Sequence, residues 1–530
     1  MMRRIAPLII VLLAACAQVR ELQGGTKDTD APVLLAAEPP SGTVRFNNDR
    51  IVLRFNERIK LDRVRDRLLI SPPLDKSPEV TVSGGEDVVI ALRAPLAPNT
   101  TYTFNIGEAV SDITEGNPAA GLTYVISTGD VLDSLTIQGT VIDAFTDKPE
   151  PDVLVILHTD TDTAGFTTGR PAYFTRTDKQ GAFVLRNLRD GPYRLNALLD
   201  QNANFRNDLP NERVAYSDTV VDTNDSLAQV LRIFLPLAAT QQVKEAAVQP
   251  DRAWRLVFAR PVDSLAISSI DRTGGTLAWI AEWNPSRDTV LFWPSDTTLL
   301  TGQRFVISDS TAIIDTLTYR ASRKMPFYLD VKPSSRSPQG PTFRASRPIA
   351  RIDPDRAFLR IDSTDVPTGV VLMEGDANRS LAVLNGVAAD RPTTLLLLPG
   401  AVEDIYGGKN DTLRLSMGSV TTAQTGDLTV HLALDSGNTI SGPFFLQLLN
   451  AQGGVVRTEA FADLPHKTAF AGTPAGVYAL KITVDADGDG RWSTGSIAER
   501  RQPERVFRQK GEVNVRAGWE VVVDWSVGDR

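Results

Sequence analysis

Arg50-Ile51-Val52-Leu53-Arg54-Phe55 is the stretch on which the fold turns. In an extended chain Ile51, Leu53 and Phe55 share one face and Arg50 and Arg54 the other, the period-two signature of a half-buried strand. The same β-branched and aromatic character recurs in Val88-Val89-Ile90-Ala91-Leu92, in Thr101-Tyr102-Thr103-Phe104-Asn105-Ile106 and in Val153-Leu154-Val155-Ile156-Leu157. Glycine, proline, asparagine and aspartate separate these runs, as turns between strands require. Amphipathic helical spacing is scarce. One helical stretch is expected, Leu61 to Leu69, where Leu61, Val64, Leu68 and Leu69 approximate helical periodicity. The reading is therefore all-β, with many short strands arranged as sandwiches.

Composition narrows the function classes. A chain of 530 residues suggests roughly three to five domains. Hydrophobic residues make up 42% of it, enough for packed cores. The net charge of -8 argues against nucleic acid, whose phosphates reward a basic face. Cys16 is the only cysteine, which excludes intrachain disulfides and cysteine-based metal sites. Core burial alone must hold the domains.

That cysteine sits in Leu13-Ala14-Ala15-Cys16, an aliphatic residue and two small ones before it, as in a lipobox. Arg3 and Arg4 followed by the apolar run Ile5 to Ala14 supply a charged n-region and an h-region. The run is about half of what a bilayer-spanning helix needs. The expected chemistry is thioether diacylation of Cys16, palmitate-type chains that anchor the protein to a membrane, and cleavage before it. Residues 1–15 are then a signal peptide and 16–31 a polar lipidated tether. Ala17 and Gln18 lack the aspartate that marks inner-membrane retention in some bacteria, so the outer membrane is the expected destination.

Repeats organise the rest. Ala109-Val110-Ser111-Asp112-Ile113 with Gly116 and Asn117 returns as Ala401-Val402-Glu403-Asp404-Ile405 with Gly407, Gly408 and Asn410. Upstream, Arg50 to Phe55 resembles Arg356-Ala357-Phe358-Leu359-Arg360-Ile361, and Arg252 to Phe258 forms a third copy before a degenerate partner near Ile314-Asp315. A different unit occurs twice. Gly191-Pro192-Tyr193-Arg194-Leu195 leads to Asp200-Gln201-Asn202-Ala203-Asn204, and Gly476-Val477-Tyr478-Ala479-Leu480 leads to Asp485-Ala486-Asp487-Gly488-Asp489. Pro210-Asn211-Glu212-Arg213-Val214 then echoes in Pro503-Glu504-Arg505-Val506.

On these residues, with Gly24-Gly25-Thr26-Lys27-Asp28-Thr29, Phe55-Asn56-Glu57, Ile70-Ser71-Pro72-Pro73 and Ser127-Thr128-Gly129, the first unit resembles the SbsA-type bacterial Ig-like domain of Bacteroidota lipoproteins. The second, on Ile137-Gln138-Gly139-Thr140-Val141, Thr177-Asp178, Gly181, Phe183, Gly191 and Tyr193, is similar to carboxypeptidase-regulatory-like or transthyretin-like sandwiches. The resemblance implies Ig-like domains at 32–130, 240–330 (degenerate, with Phe258-Ala259-Arg260 replacing Phe-Asn-Glu) and 335–425, and transthyretin-like sandwiches at 131–237 and 426–530. Such folds host unrelated activities.

The clearest candidate chemistry is Asp485-x-Asp487-x-Asp489-Gly490. Carboxylates at alternate positions and a glycine at the sixth match the first half of a calcium loop, although Ser496 stands where its twelfth-position glutamate belongs. An Asp/Asn-rich turn between strands accounts for the same residues. The copy at Asp200, Asn202 and Asn204 has Phe205 in place of the glycine. His158, His431 and His466 show no metal-ligand spacing, and no G-x-S-x-G elbow occurs. No catalytic residue is assigned. Trp254, Trp283, Trp293, Trp492, Trp519 and Trp525 are read as core more than as sugar platforms.

The expected protein is thus a lipid-anchored, non-enzymatic envelope scaffold of sandwiches in series, holding a binding face away from the membrane toward an envelope protein or glycan partner. A calcium- or carbohydrate-dependent adhesin is the alternative, and a hydrolase with a site between domains a weaker one.

Overall fold

The computed structural model describes residues 29–528, apart from 107–108, 120, 160–165, 225–226, 272–277, 296–300, 310–311, 321–328, 338–339, 374–376, 384–392, 417–424 and 438. Cys16 and the apolar run before it lie outside the described residues. The protein is all-β, a succession of β-sandwiches. Among the described residues no helix is long and apolar enough to cross a membrane.

The first sandwich pairs the sheet Leu34–Glu38, Arg50–Phe55, Asp87–Ala91, Glu79–Ser83 with the sheet Leu69–Ser71, Thr101–Asn105, Thr123–Ser127. Ile51, Leu53 and Phe55 are buried against Phe104, Tyr124 and Ile126, while Arg50 and Arg54 are exposed. The alternation in sequence is the alternation in burial. The expected helix shrinks to one turn, Val64–Arg67. Leu61 is claimed by the strand Ile59–Leu61 and Leu69 by Leu69–Ser71, so pairing overrides local spacing.

A third group of sheets (Val243–Val248, Trp254–Phe258, Thr289–Pro294, Trp279–Trp283 and Leu265–Ser269, Arg304–Asp309, Ile313–Thr318) and a fourth (Val331–Ser337, Gly340–Ala345, Ser380–Val383, Val370–Leu372; Ile349–Ile352, Val402–Asp404; and Thr364–Pro367, Ala357–Ile361, Thr393–Leu397, Leu413–Ser416) repeat parts of this plan. Asn56 accepts from Val33 N–H (2.7 Å) just after strand Arg50–Phe55. Ser346 likewise accepts from Asp330 N–H (3.0 Å) just after strand Gly340–Ala345. Each of these strands leads into a short strand, Ile59–Leu61 or Ile349–Ile352, that pairs with the repeated aspartate motif, Val110–Asp112 or Val402–Asp404. The counterpart of Arg50–Phe55 is therefore Gly340–Ala345. Ala357–Ile361, which carries the similar sequence, follows a helical turn as Leu69–Ser71 does. Alternation alone cannot tell strands of one sheet from strands of the other. Ile314 and Asp315 lie within strand Ile313–Thr318 and close no loop.

The repeated aspartate is a loop clamp. Asp112 is fully buried and accepts from the N–H groups of Glu115 (2.6 Å), Gly116 (3.0 Å) and Asn117 (2.8 Å). Burial works to raise its pKa, but the three donors outweigh it and hold the carboxyl below its ordinary value. Asp404 does the same for Tyr406 and Gly408 and also takes the guanidinium of buried Arg347 (3.1 Å).

The second and last sandwiches share one topology. Each has a three-stranded sheet, Ala182–Leu188, Leu135–Asp143, Gln229–Ile233 or His466–Pro474, Thr425–Leu434, Glu520–Val527. In each, the outer strands are the second and last, and the last runs parallel to the first. A Cβ at Gly139 would lie 2.0 Å from Gln229 O, and one at Gly426 2.3 Å from Arg516 O. Glycine is what lets the first strand approach the final segment so closely.

The opposite sheets, Tyr173–Arg176, Leu154–Thr159, Pro192–Leu198, Val214–Tyr216 and Val455–Phe461, Phe444–Asn450, Gly476–Val484, Val506–Arg508, depart from a simple sandwich. The sheet of the second sandwich is apolar on both faces. Val155 and Leu157 point into the second sandwich, whereas Leu154 and Ile156 join Phe174, Leu198 and Phe234 in a separate buried cluster on the outside. Trp492 and Ile497 of the last sandwich and Leu69 of the first pack onto that cluster. Phe145 meets Trp492 edge to face at 5.1 Å, and Lys481 sits 4.3 Å over the Phe145 ring. Gln502 donates to Tyr216 O (2.9 Å), Thr494 to Leu235 O (2.7 Å). Arg491 reaches Asp263 of the third group (3.2 Å), and Arg347 of the fourth donates to Asp251 O of the third (3.2 Å).

The sandwiches are thus not a string in series. The chain turns back, so that its last sandwich closes on the second and third. Gly495 is the tightest point: a Cβ there would meet Phe234 ring atoms at 2.5 Å and Arg501 O at 2.8 Å. Gly495→Leu should force the two sandwiches apart at a cost of about 1–3 kcal/mol. The check is solution scattering, where a larger radius of gyration is expected, together with faster proteolysis within 485–505.

Candidate functional site

Strand Gly476–Val484 ends at Asp485, which is 6% exposed and begins the acidic loop. Its two carboxylate oxygens accept from Asp489 N–H and Gly490 N–H, both at 3.0 Å, closing a tight turn. Gly488 and Gly490 hold φ values of 74° and 73°, the left-handed region that favours glycine. Asp487 is exposed and accepts from Ser493 Oγ (2.7 Å). Asp489 turns elsewhere: its carboxylate takes Arg491 Nε (3.0 Å) and a terminal guanidinium nitrogen (2.6 Å). The alternate-position pattern therefore brings two of its three carboxylates together.

The third member comes from the far side of the loop. Glu504, 6% exposed, accepts from Ala486 N–H (2.7 Å) and Ser493 N–H (2.8 Å). Asp485, Asp487 and Glu504 each offer an oxygen, and these lie within 4.8 Å of one another. Burial pushes the Glu504 carboxyl up to about 7, with Asp487 and Asp485 adding repulsion against the pull of the two backbone donors. An all-oxygen acidic cluster like this suits a hard cation such as calcium, or a shared proton.

The second sandwich carries the same frame with two asparagines in place of aspartates. Asp200 accepts from Asn204 N–H (3.3 Å) and Phe205 N–H (2.8 Å), the same offsets as at Asp485. Fully buried Glu212 accepts from Gln201 N–H (3.2 Å), as Glu504 does from Ala486 N–H. Positions corresponding to Asp487 and Asp489 hold Asn202 and Asn204, which both donate to Asp208. Glu212 and Glu504 were missed by motif reading because they lie outside the six-residue loop pattern. The echo of Pro210 to Val214 in Pro503 to Val506 was the signal that marks them.

The histidines do not converge. His158 is buried beside Asn196 Nδ2 (3.3 Å). His431 Nδ1 lies 2.8 Å from Asp524, and His466 Nε2 lies 3.2 Å from Glu459 while its ring stacks on Phe461. Trp254 and Trp293 are core residues, whereas Trp519 is 64% exposed.

Residues 28–128 match the family model of a bacterial Ig-like domain. No curated protein matches the chain. Among solved structures, the Bacillus anthracis TIE protein is 12% identical over 95% of this chain and 76% of its own, with a TM-score of 0.15. BcpA, the major pilin subunit of Bacillus cereus, is 9% identical over 74% and 99%, with a TM-score of 0.15. The Bacteroides ovatus SGBP-B of a mixed-linkage glucan utilization locus, solved with a mixed-linkage heptasaccharide, is 13% identical over 72% and 91%, with a TM-score of 0.17.

A carboxyl raised in the folded state keeps its proton there at pH values where the unfolded chain has lost it. Its contribution to stability is therefore present below the ordinary value of 4.5 and is lost as pH rises toward 7. Thermal melts of the parent should show this decline between about pH 5 and 7. In Glu504→Gln the decline should flatten, whatever the absolute midpoint.

Proposed function

We propose that the protein is a lipid-anchored, non-catalytic scaffold of the bacterial cell envelope, held through acyl chains on Cys16 at the outer membrane. The observation that carries the scaffold reading is the buried cluster shared by the second and last sandwiches, in which Leu154, Ile156 and Phe234 are covered by Trp492 and Ile497. A shared apolar core makes those sandwiches one stiff body, which suits a support or binding platform better than a flexible tether. The lipobox Leu13 to Cys16 and the polar segment after it support the anchor. On this reading the five domains are those expected at 32–130, 131–237, 240–330, 335–425 and 426–530, and the partner is an envelope protein or glycan.

A calcium-dependent form of the same role is favoured by one observation, the convergence of Asp485 and Asp487 with Glu504. Calcium there would relieve carboxylate repulsion and stiffen the loop whose next residues cover the second sandwich.

Two measurements test these readings. Cys16→Ser should move the protein from the membrane to the soluble fraction and remove the acyl mass; continued membrane retention with parent-like processing overturns the anchor. Millimolar calcium should raise the melting midpoint, and Glu504→Gln should diminish the rise. Superimposable melts with calcium and with chelator would remove calcium from the account and leave the scaffold.

A further inference from the structure

Between the first and second sandwiches lies a cleft of about 720 Å³. Its apolar lining includes half-buried Leu69, Leu74 and Phe205 beside buried Leu154 and Phe174, the two phenylalanines meeting edge to face at 4.7 Å. Its rim carries Arg63, Arg65 and Arg67 from the helical turn Val64–Arg67 and its N-cap, and Arg176 from the edge strand Tyr173–Arg176. No lysine lines it. Four guanidinium groups around one opening are notable in a chain of net charge -8.

Aspartates meet part of this charge. Asp62 takes Arg67 at 2.9 Å and stands 4.0 Å from Arg63. Asp152 takes one terminal nitrogen of Arg176 at 3.1 Å. Asp200 is spent on the backbone N–H groups of Asn204 and Phe205. Arg65 is exposed and makes no hydrogen bond or ion pair among the described residues. Among the described residues Arg176 Nε is buried with no hydrogen-bond partner, and the exposed part of its guanidinium faces the cleft.

The backbone adds an independent sign. Arg63 has φ 42° and ψ 49°, left-handed, at an N-cap position with no side-chain cap. That conformation is uncommon for a residue other than glycine, and it places the Arg63 guanidinium at the cleft mouth.

Arginine forks bind phosphate in paired hydrogen bonds, which a lysine point charge does not match. An apolar floor beneath them offers nothing to a small free anion. We propose that this cleft binds a phosphate-bearing amphiphile, with its phosphate on the arginine rim and its apolar body against Leu69, Leu74 and Phe205. The volume falls within the range of small-molecule sites, which concentrate at domain junctions. The source is either a membrane lipid or a free alkyl phosphate. The inference does not depend on the Cys16 anchor.

The test uses the full chain as its Cys16→Ser form, so that no acyl group of its own competes. Monomeric dihexanoyl phosphatidate is titrated by calorimetry beside inorganic phosphate and dihexanoyl phosphatidylcholine. The expected result is saturable binding of the phosphatidate at least tenfold tighter than of either control. Arg65→Ser, at an exposed and unpaired position, should weaken it severalfold with an unchanged melting midpoint. Arg176→Gln should weaken it further. Co-sedimentation with vesicles containing phosphatidate in phosphatidylcholine would assign a membrane source, and binding of the monomer alone a free one; either supports the proposal. Equal affinity for inorganic phosphate, equal affinity for phosphatidylcholine, full competition by oligoglutamate, or indifference to Arg65→Ser would each overturn it.

Discussion

A strand that is apolar on both sides cannot rest in a two-layer sandwich by itself. Leu154–Thr159 is such a strand, with every residue from Leu154 to His158 buried. The partner sheet covers Val155 and Leu157. Leu154 and Ile156 need a second cover, and burial of each such side chain is worth about 1.5–3 kcal/mol. With no disulfide to substitute for that burial, the arrangement of the sandwiches follows from where the cover is found. It is found partly on Phe166 and Phe205 of the same sandwich, and beyond them on Leu69 of the first and on Trp492 and Ile497 of the last. The folded-back body is therefore a packing requirement of one strand written at large scale.

The same strand shows what was legible in the sequence. Val153 to Leu157 was readable as a strand, and a continuous apolar run is the sign of burial on both faces. What the run could not reveal is which distant segment supplies the second face, since apolar cover has no sequence complement. The clean alternation of Arg50 to Phe55 gave both strand and facing correctly. It misled only in the repeat, where Ala357–Ile361 has the same alternation but belongs to a different strand position. The aspartate motif was the better guide, because a buried carboxylate clamping three N–H groups is a specific demand that few residues can meet.

The acidic loop was legible in its frame and not in its membership. Asp485 and its glycines were visible from spacing, and their turn geometry follows directly. Asp489 was expected to face inward with the others, but Arg491, two residues on, draws its carboxylate away. Glu504 joins because its buried carboxylate accepts from two backbone donors of the loop, Ala486 N–H and Ser493 N–H. The copy at Asp200 and Glu212 repeats the frame: the aspartate and glutamate build the loop in both sandwiches, and Asn202 and Asn204 stand in the second where Asp487 and Asp489 stand in the last.

The cover over Leu154 and Ile156 has a temporal consequence. Synthesis runs from the first sandwich to the last, so strands of the second can pair long before Trp492 and Ile497 exist. Until the final sandwich has emerged, the nascent second domain shows water the greasy ground that Trp492 and Ile497 later cover. Biogenesis of this protein thus has an interval of stickiness built into its gene order, and it is the closing segment near the carboxyl end that brings that interval to a stop.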